Sequence, residues 1–185
     1  MSTELNQTAK KINVLVVIDT EHIKVIYPIP SQDKTKPTPV DCNSQFIIIS
    51  GSPKIISGSE TSKLQLPAKP GDNVSFRCTS SYANSVDAAI IYRMPLQENH
   101  VFECISFQPN FVTRNCAISD PEQPDGQAIK YKSITSVSYE SKVSRVGTEN
   151  LRFYIALYTL ADDGNTQNLF GYFSWDIAIT LQLDH

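Results

Sequence analysis

Oxygen-bearing side chains are most concentrated in one short segment near the end of the chain. Residues 162–168 read Asp-Asp-Gly-Asn-Thr-Gln-Asn, so Asp162, Asp163, Asn165 and Asn168 bring carboxylate and amide oxygens into one turn. Calcium takes about six to eight oxygen ligands of this kind in proteins. These four residues would therefore supply part of a calcium shell.

A tight polar turn explains the same segment without a ligand, because Asp, Gly and Asn are the residues that such turns favour. The segment departs from the EF-hand pattern, since no glycine is sixth from Asp162 or Asp163. We favour the turn. The segment also resembles the calcium- and sugar-binding loop of bacterial galactose-binding β-sandwich lectins. That resemblance implies an alternative, in which Asp162, Asp163, Asn165 and Asn168 bind a glycan with calcium as cofactor.

Residues typical of catalysis are scarce. The chain has three histidines, His22, His100 and His185. Asp19 or Glu21 could orient His22, but a surface or capping role is the simpler interpretation. The sequence contains no Gly-x-Ser-x-Gly, His-Glu-x-x-His or glycine-rich phosphate loop. We therefore expect no enzyme activity and no resident cofactor, calcium in the lectin alternative excepted.

The cysteines lack the spacing of a metal site. They stand at positions 42, 78, 104 and 116, without a Cys-x-x-Cys pair, which disfavours zinc. The first residues are polar and lack the apolar segment of a secretion signal, which indicates a cytoplasmic protein. Because disulfides are rare in that compartment, we expect free thiols.

The elements that would carry these residues are strands. Residues 171–183 alternate with a period of two, large apolar side chains on one parity and mostly polar ones on the other, which predicts a strand with one buried face. Residues 151–160 precede this strand through the polar turn, so the two form a closing hairpin. Trp175 falls on the apolar parity and is expected in the core. Tyr154, Tyr158 and Tyr172 fall on the opposite parity. They either pack across strands beneath a loop or form an assembly face, since tyrosine is enriched in interfaces.

Further strands are predicted at residues 11–19, 45–50, 54–56, 64–66, 73–79, 88–93, 101–106, 111–118 and 131–140. Residues 23–27 fit a short strand or a helical turn, and a short helix near residues 136–145 is an alternative there. Four prolines in residues 28–39 predict a loop, because proline cannot donate a ladder hydrogen bond. We expect this loop to cover a sheet edge.

Together about ten closely spaced strands predict an all-β fold, a single-domain antiparallel β-sandwich of jelly-roll type. The domain is expected over residues 12–185, after a flexible N-terminal tail of residues 1–11. The 185 residues include 16 Lys and Arg against 19 Asp and Glu, scattered along the chain. The lack of a basic cluster disfavours nucleic acid as a partner. The first apolar run is far shorter than the ~20 residues of a membrane span, so no membrane partner is expected.

Several motifs resemble one family over most of residues 12–183. They are Ile-Asn-Val-Leu-Val-Val-Ile-Asp-Thr at residues 12–20, Phe-Gly-Tyr-Phe-Ser-Trp-Asp at residues 170–176, and segments 27–28, 30–33, 37–41, 43–51 and 70–76. They are similar to the PixA/AidA inclusion-body proteins of bacteria. The resemblance implies a cytoplasmic protein that accumulates in inclusion bodies and supplies no catalytic residues.

The function expected from this resemblance is non-catalytic self-association into dense or crystalline deposits, with the chain itself as partner. A methionine store is not implied, because the only methionines are Met1 and Met94. The alternative is a lectin-like β-sandwich module that binds a glycan in host interaction.

Overall fold

A computed structural model describes residues 8–41, 44–51, 58–59, 63–97, 101–123 and 129–183. Within these ranges the chain forms eleven strands and one short helix, α1 (Thr20–Ile26). The strands are β1 (Lys11–Ile18), β2 (Thr38–Pro39), β3 (Gln45–Ser50), β4 (Gly58–Ser59), β5 (Lys63–Pro67), β6 (Asn73–Ser80), β7 (Ala88–Arg93), β8 (Gln108–Ser119), β9 (Ile129–Lys142), β10 (Gly147–Leu160) and β11 (Gln167–Gln182).

The strands form two sheets, and the predicted all-β sandwich is confirmed. One sheet has the order β4-β3-β1-β6-β9-β8, and the other has the order β2-β11-β10-β7, with β5 also paired to β11. The sheets are mixed rather than wholly antiparallel: β1 runs parallel to β6, and β11 runs parallel to β2 and β5. Alternation along a strand reports its buried face but not the direction of its neighbours, so the sequence could not show this.

The core lies between the sheets and is built from the alternating positions. Phe76 packs edge to face against Phe107 and Phe153, with ring centroids 5.3 and 5.5 Å apart. Phe153 stacks on Trp175 with centroids 4.8 Å apart. Trp175 is thus in the core, as predicted. Burying one large apolar side chain contributes roughly 1.5–3 kcal/mol, so this aromatic cluster is a main source of stability.

Of the two alternatives for residues 23–27, the helical turn is confirmed: residues 23–26 belong to α1, whose N-cap Asp19 accepts a hydrogen bond from the His22 backbone N–H at 3.0 Å, and Tyr27 is its C-cap. Two other predicted elements differ from the structure. A strand at residues 101–106 is wrong, because Phe102 and Ser106 make only isolated bridges. A helix near residues 136–145 is also wrong, since β9 continues to Lys142. The predicted strand at residues 54–56 lies outside the described residues, and the division into tail and domain stays a prediction.

The hairpin of β8 and β9 extends beyond the sandwich. Strand β9 pairs with β6 only through residues 139–142, opposite residues 73–76, whereas β8 pairs with β9 along its whole length. We call residues 111–119 and 129–137 the arm. Most arm side chains on both faces are exposed, in contrast to the alternating burial of β10 and β11. The arm is therefore a two-stranded ribbon with little support from the rest of the chain.

Candidate functional site

The proline-rich segment, residues 28–39, is held against the edge of β11. Strand β2 pairs in parallel with Phe173 and Ser174, and the Tyr172 backbone N–H donates to the Ser31 carbonyl at 2.9 Å. Within the segment, the Ser31 N–H donates to Thr38 Oγ1 at 2.8 Å. The expectation that this loop covers a sheet edge is confirmed.

Gly171 allows this close approach. A Cβ at position 171 would overlap the ring of Pro30, and it would lie 3.2 Å from the Ser31 carbonyl oxygen. Glycine is the residue that permits backbone and loop to come so near. The Phe-Gly-Tyr-Phe-Ser-Trp-Asp segment thus combines a loop contact at Gly171 with a core side chain at Trp175.

A cleft of about 340 Å³ lies between the proline-rich segment and the outer face of β10 and β11. Its lining residues are Thr35, Pro37, Pro39, Val40, Arg152, Tyr154, Ser174, Trp175 and Asp176. Hydroxyl, guanidinium and carboxylate groups therefore line it beside proline and aromatic rings. No cysteine or histidine is among these described lining residues.

The charged part of the cleft is a fixed pair. Arg152 Nε and Nη2 each donate to one oxygen of Asp176 at 2.7 Å, and Gln97 Nε2 donates to Asp176 Oδ1 at 2.6 Å. The hydrogen bond to Asp176 raises the pKa of Arg152, and the same contact lowers the pKa of Asp176. A bidentate pair fixes orientation as well as charge, so it presents an ordered polar surface.

Two of the three candidate tyrosines meet around a third ring. Tyr92 of β7 lies edge to face with Tyr154 at 5.8 Å and with Tyr172 at 5.5 Å. The Tyr92 hydroxyl donates to the Lys34 carbonyl at 2.9 Å. Burial, with the neighbouring tyrosines, raises the pKa of Tyr92 to about 12. Arg93 lies 5.4 Å from the centroid of the Tyr154 ring, completing the cluster.

Tyr92 was not identified from the sequence, although its place in the alternation of β7 predicts an outward-facing side chain. Ala89 and Ile91 are buried, so Tyr92 must point to the outer face of β7. Tyr158 lies past a bulge between Leu157 and Tyr158, where it pairs with Leu169 on β11. The structure therefore brings Tyr154 and Tyr172 together through Tyr92 and places Tyr158 farther along β10. The assembly role of the three tyrosines stays a prediction.

The segment of residues 162–168 forms a hydrogen-bonded turn. Asp163 Oδ1 accepts from the backbone N–H groups of Thr166 at 2.8 Å and Asn165 at 2.9 Å. A hydrogen bond from the Thr166 side chain, followed by these two backbone hydrogen bonds, lowers the pKa of Asp163 to about 2. Gly164 has φ +66°, which favours glycine. Asn168 already belongs to β11, opposite Thr159. Asp163 thus has a structural role in the turn, while glycan or calcium binding by Asp162, Asp163, Asn165 and Asn168 stays a prediction.

The other candidate ligands and bases lie apart. Cys78, Cys104 and Cys116 are free thiols, and burial raises the pKa of Cys78. His22 is exposed on α1, whereas Cys42, His100 and His185 lie outside the described residues. In the described part of the chain, no group of three or more His, Cys, Asp or Glu side chains could hold a metal ion.

Comparison with known proteins identifies the family. A family model described as "PixA: Inclusion body protein" matches residues 10–181. The chain belongs to the PixA family. A crystal structure of the PixA inclusion body protein from Burkholderia cenocepacia is 32% identical, covers 97% of this chain and 99% of that chain, and superposes with a TM-score of 0.80. The resemblance of residues 12–20 and 170–176 to this family is thus confirmed.

Two further comparisons carry no functional information. A type I cohesin from Pseudobacteroides cellulosolvens aligns over 94% of each chain at 10% identity, but its TM-score of 0.20 supports no argument about this PixA-family chain. No curated protein matches this chain. Among the described residues, no helix is long and apolar enough to cross a membrane.

Proposed function

We propose that this protein is a non-catalytic PixA-family protein that self-associates into dense inclusions in the bacterial cytoplasm. The main support is membership of the inclusion body protein family over residues 10–181, together with the 32% identity to the Burkholderia cenocepacia protein. A net charge of −3 over 185 residues adds little repulsion between copies.

Within this proposal, the cluster of Tyr92, Tyr154 and Tyr172 is a contact between copies. The rings pack on one another and remain half-buried on the outer face of the sheet, where Arg93 adds a cation–π contact. Tyrosine buries a large area at low entropic cost and keeps a hydroxyl for hydrogen bonding. A contact that does not close on itself would extend into a lattice.

The test replaces Tyr154 and Tyr172 together by Glu. We expect the double variant to remain folded, as measured by near-ultraviolet circular dichroism, and to form no inclusions in cells examined by electron microscopy. The matched control replaces the same two residues by Phe, which keeps the rings and should keep the inclusions. Inclusions formed equally by a folded Glu variant would reject the tyrosine contact.

A second candidate is a carbohydrate-binding module, which the cleft beside Tyr154 favours. Arg152, Asp176 and Gln97 offer fixed donors and acceptors next to an aromatic ring. A few placed polar groups beside an apolar surface are typical of a small-ligand site. The turn holding Asp162 is the competing position, and it would require calcium.

A glycan panel, run with calcium and with EDTA, separates these positions by thermal melting, since a ligand that binds only the folded state raises the melting temperature. A shift that is lost with EDTA and in Asp162→Asn would assign the turn. A shift that survives EDTA and is lost in Arg152→Ala would assign the cleft. No shift with any glycan would reject this second candidate and leave self-association.

A further inference from the structure

The arm has two chemically different faces. Cross-strand pairing places residues 111, 113, 115, 117 and 119 of β8 beside residues 137, 135, 133, 131 and 129 of β9. None of these ten residues is charged, and the set includes Phe111, Tyr131 and Ile129, which are 68%, 67% and 59% exposed. We call this the neutral face. The opposite face carries Arg114, Lys130 and Lys132.

The neutral face continues the core side of the sheet. Tyr139, two residues beyond Val137 and on the same parity, is buried, and its hydroxyl donates to the Ile91 carbonyl at 3.0 Å. A cavity of about 350 Å³ opens at this point, with Phe76, Thr135 and Val137 in its lining. The arm thus carries this face, half of it apolar and half neutral and polar, beyond the last pairing with β6, and its exposed side chains are not covered in the described part of the chain.

Elementary energetics disfavour such a ribbon in isolation. A two-stranded hairpin is marginally stable in water without a third strand or a packed face. Strand β8 is also an open edge of twelve residues without a bulge in its pairing with β9. Proteins normally blunt such edges because they pair with other chains, and β8 carries two residues of this kind, Pro109 and Arg114. The exposed face, more than the edge, therefore calls for a partner.

We propose that two copies of this chain pair through the neutral faces of their arms about a two-fold axis. The outer end of each arm, near Ile129, then lies against the base of the partner's arm, near Phe111 and Val137, and covers the cavity there. This inference deepens the proposed self-association by naming the surface of its first step, and it rests on that proposal for the identity of the partner.

Charge selects a second copy with this orientation. The neutral face meets its own copy without repulsion. Pairing through the other face would bring Arg114 and Lys132 of both copies together, which is unfavourable, although Glu122 lies 3.7 Å from Lys130 there and offsets that charge. The size also fits. A standard interface takes roughly 20 residues from each partner. The ten neutral-face residues and the six further cavity-lining residues that are not buried come to 16, which fits a small interface. A two-fold contact of this kind is self-complementary and closes as a dimer.

The test measures the mass of the full-length chain by sedimentation velocity from about 1 to 100 μM. We expect the wild type at twice 20.6 kDa and the variant Phe111→Glu/Tyr131→Glu at the monomer mass. The dissociation constant of the variant's dimer should be at least tenfold higher than that of the wild type. The matched control Ile118→Glu/Ile134→Glu places the same change on the opposite face and should remain dimeric. Near-ultraviolet circular dichroism of Trp175, which is buried in the core between the sheets, verifies that each variant is folded.

Monomeric wild type at every concentration would overturn the arm pairing, as would a dimer that dissociates in the control but not in the neutral-face variant. Inclusion formation in cells is scored separately. Inclusions without a dimer in solution would overturn the arm pairing and leave the proposed function intact. A dimer that depends on Phe111 and Tyr131, in cells that form no inclusions, would support the arm pairing and reject the proposed function.

Discussion

Glu140 fastens the base of the arm to the sandwich, and replacing it by Gln tests that connection. Its Oε1 accepts from Lys11 Nζ at 2.6 Å, Ser138 Oγ at 2.7 Å, and Ser75 Oγ and Asn110 Nδ2 at 3.2 Å. These donors come from β1, β9, β6 and β8. The variant Glu140→Gln keeps the shape of the side chain and removes the charge on which the four donors converge.

The pKa of Glu140 gives the size of its contribution to folding stability. Burial alone would raise this pKa, but the hydrogen bonds from Lys11, Ser138 and Asn110 outweigh it and lower the pKa from 4.5 to about 2. That difference corresponds to about 3 kcal/mol of folding free energy. Because the Lys11 side chain is 45% exposed, solvent screens part of the interaction, and we expect Glu140→Gln to cost about 2 kcal/mol.

The pH dependence follows from the direction of the shift. The folded-state pKa lies below the unfolded value, so the contribution of Glu140 is fully present above about pH 4.5 and is lost as pH falls towards 2. Urea denaturation of wild type and Glu140→Gln at pH 7 and pH 3 measures the contribution of Glu140 to the free energy of unfolding. The difference in unfolding free energy should fall to less than half at pH 3.

The control variant is Glu122→Gln. Glu122 is 80% exposed and lies 3.7 Å from Lys130, so its loss should change stability by less than about 0.5 kcal/mol at either pH. The reasoning fails if the cost of Glu140→Gln is equal at pH 7 and pH 3, or if it is no larger than that of the control.

Three further changes have expected costs. Gly171→Val should displace Pro30 and cost about 1–3 kcal/mol through overpacking, with faster proteolysis within residues 28–39; unchanged proteolysis would contradict the loop contact. Asp176→Asn should cost no more than about 1 kcal/mol in urea denaturation, because Arg152 and Asp176 are 41% and 50% exposed. Phe153→Ala should cost about 3–5 kcal/mol and weaken the near-ultraviolet signal of Trp175, on which its ring stacks; a cost below 1 kcal/mol would contradict the packing.

The closing hairpin shows what the alternation of side chains along a strand can predict. The parity of residues 171–183 predicted the buried face of β11, and Phe173, Trp175, Ile177, Ile179 and Leu181 are buried. The same parity placed Tyr154 and Tyr172 on the outer face. Both predictions succeed because the two-residue period of a strand ties each side chain to one face of the sheet.

The candidate sites depended on contacts between distant residues. Tyr92 meets Tyr154 and Tyr172 only because β7 pairs with β10, and Asp176 meets Arg152 because β10 and β11 pair in that register. Residues 101–106 have a strand-like composition but make only isolated bridges. Intrinsic strand preference is weak compared with the pairing that each segment finds in the fold.

The sequence by itself determined most of the long strands, the buried faces of β10 and β11, the turn at Asp163 and the family, because each depends on neighbouring residues or on motifs. Only the tertiary structure decided the parallel pairing of β1 with β6, the cleft under the proline-rich segment and the departure of the arm from β6. Those features depend on which strands become neighbours and where the pairing stops. Alternation in β8 and β9 could not reveal the arm, since a ribbon whose second layer is missing has the same period of two as a strand within the sandwich.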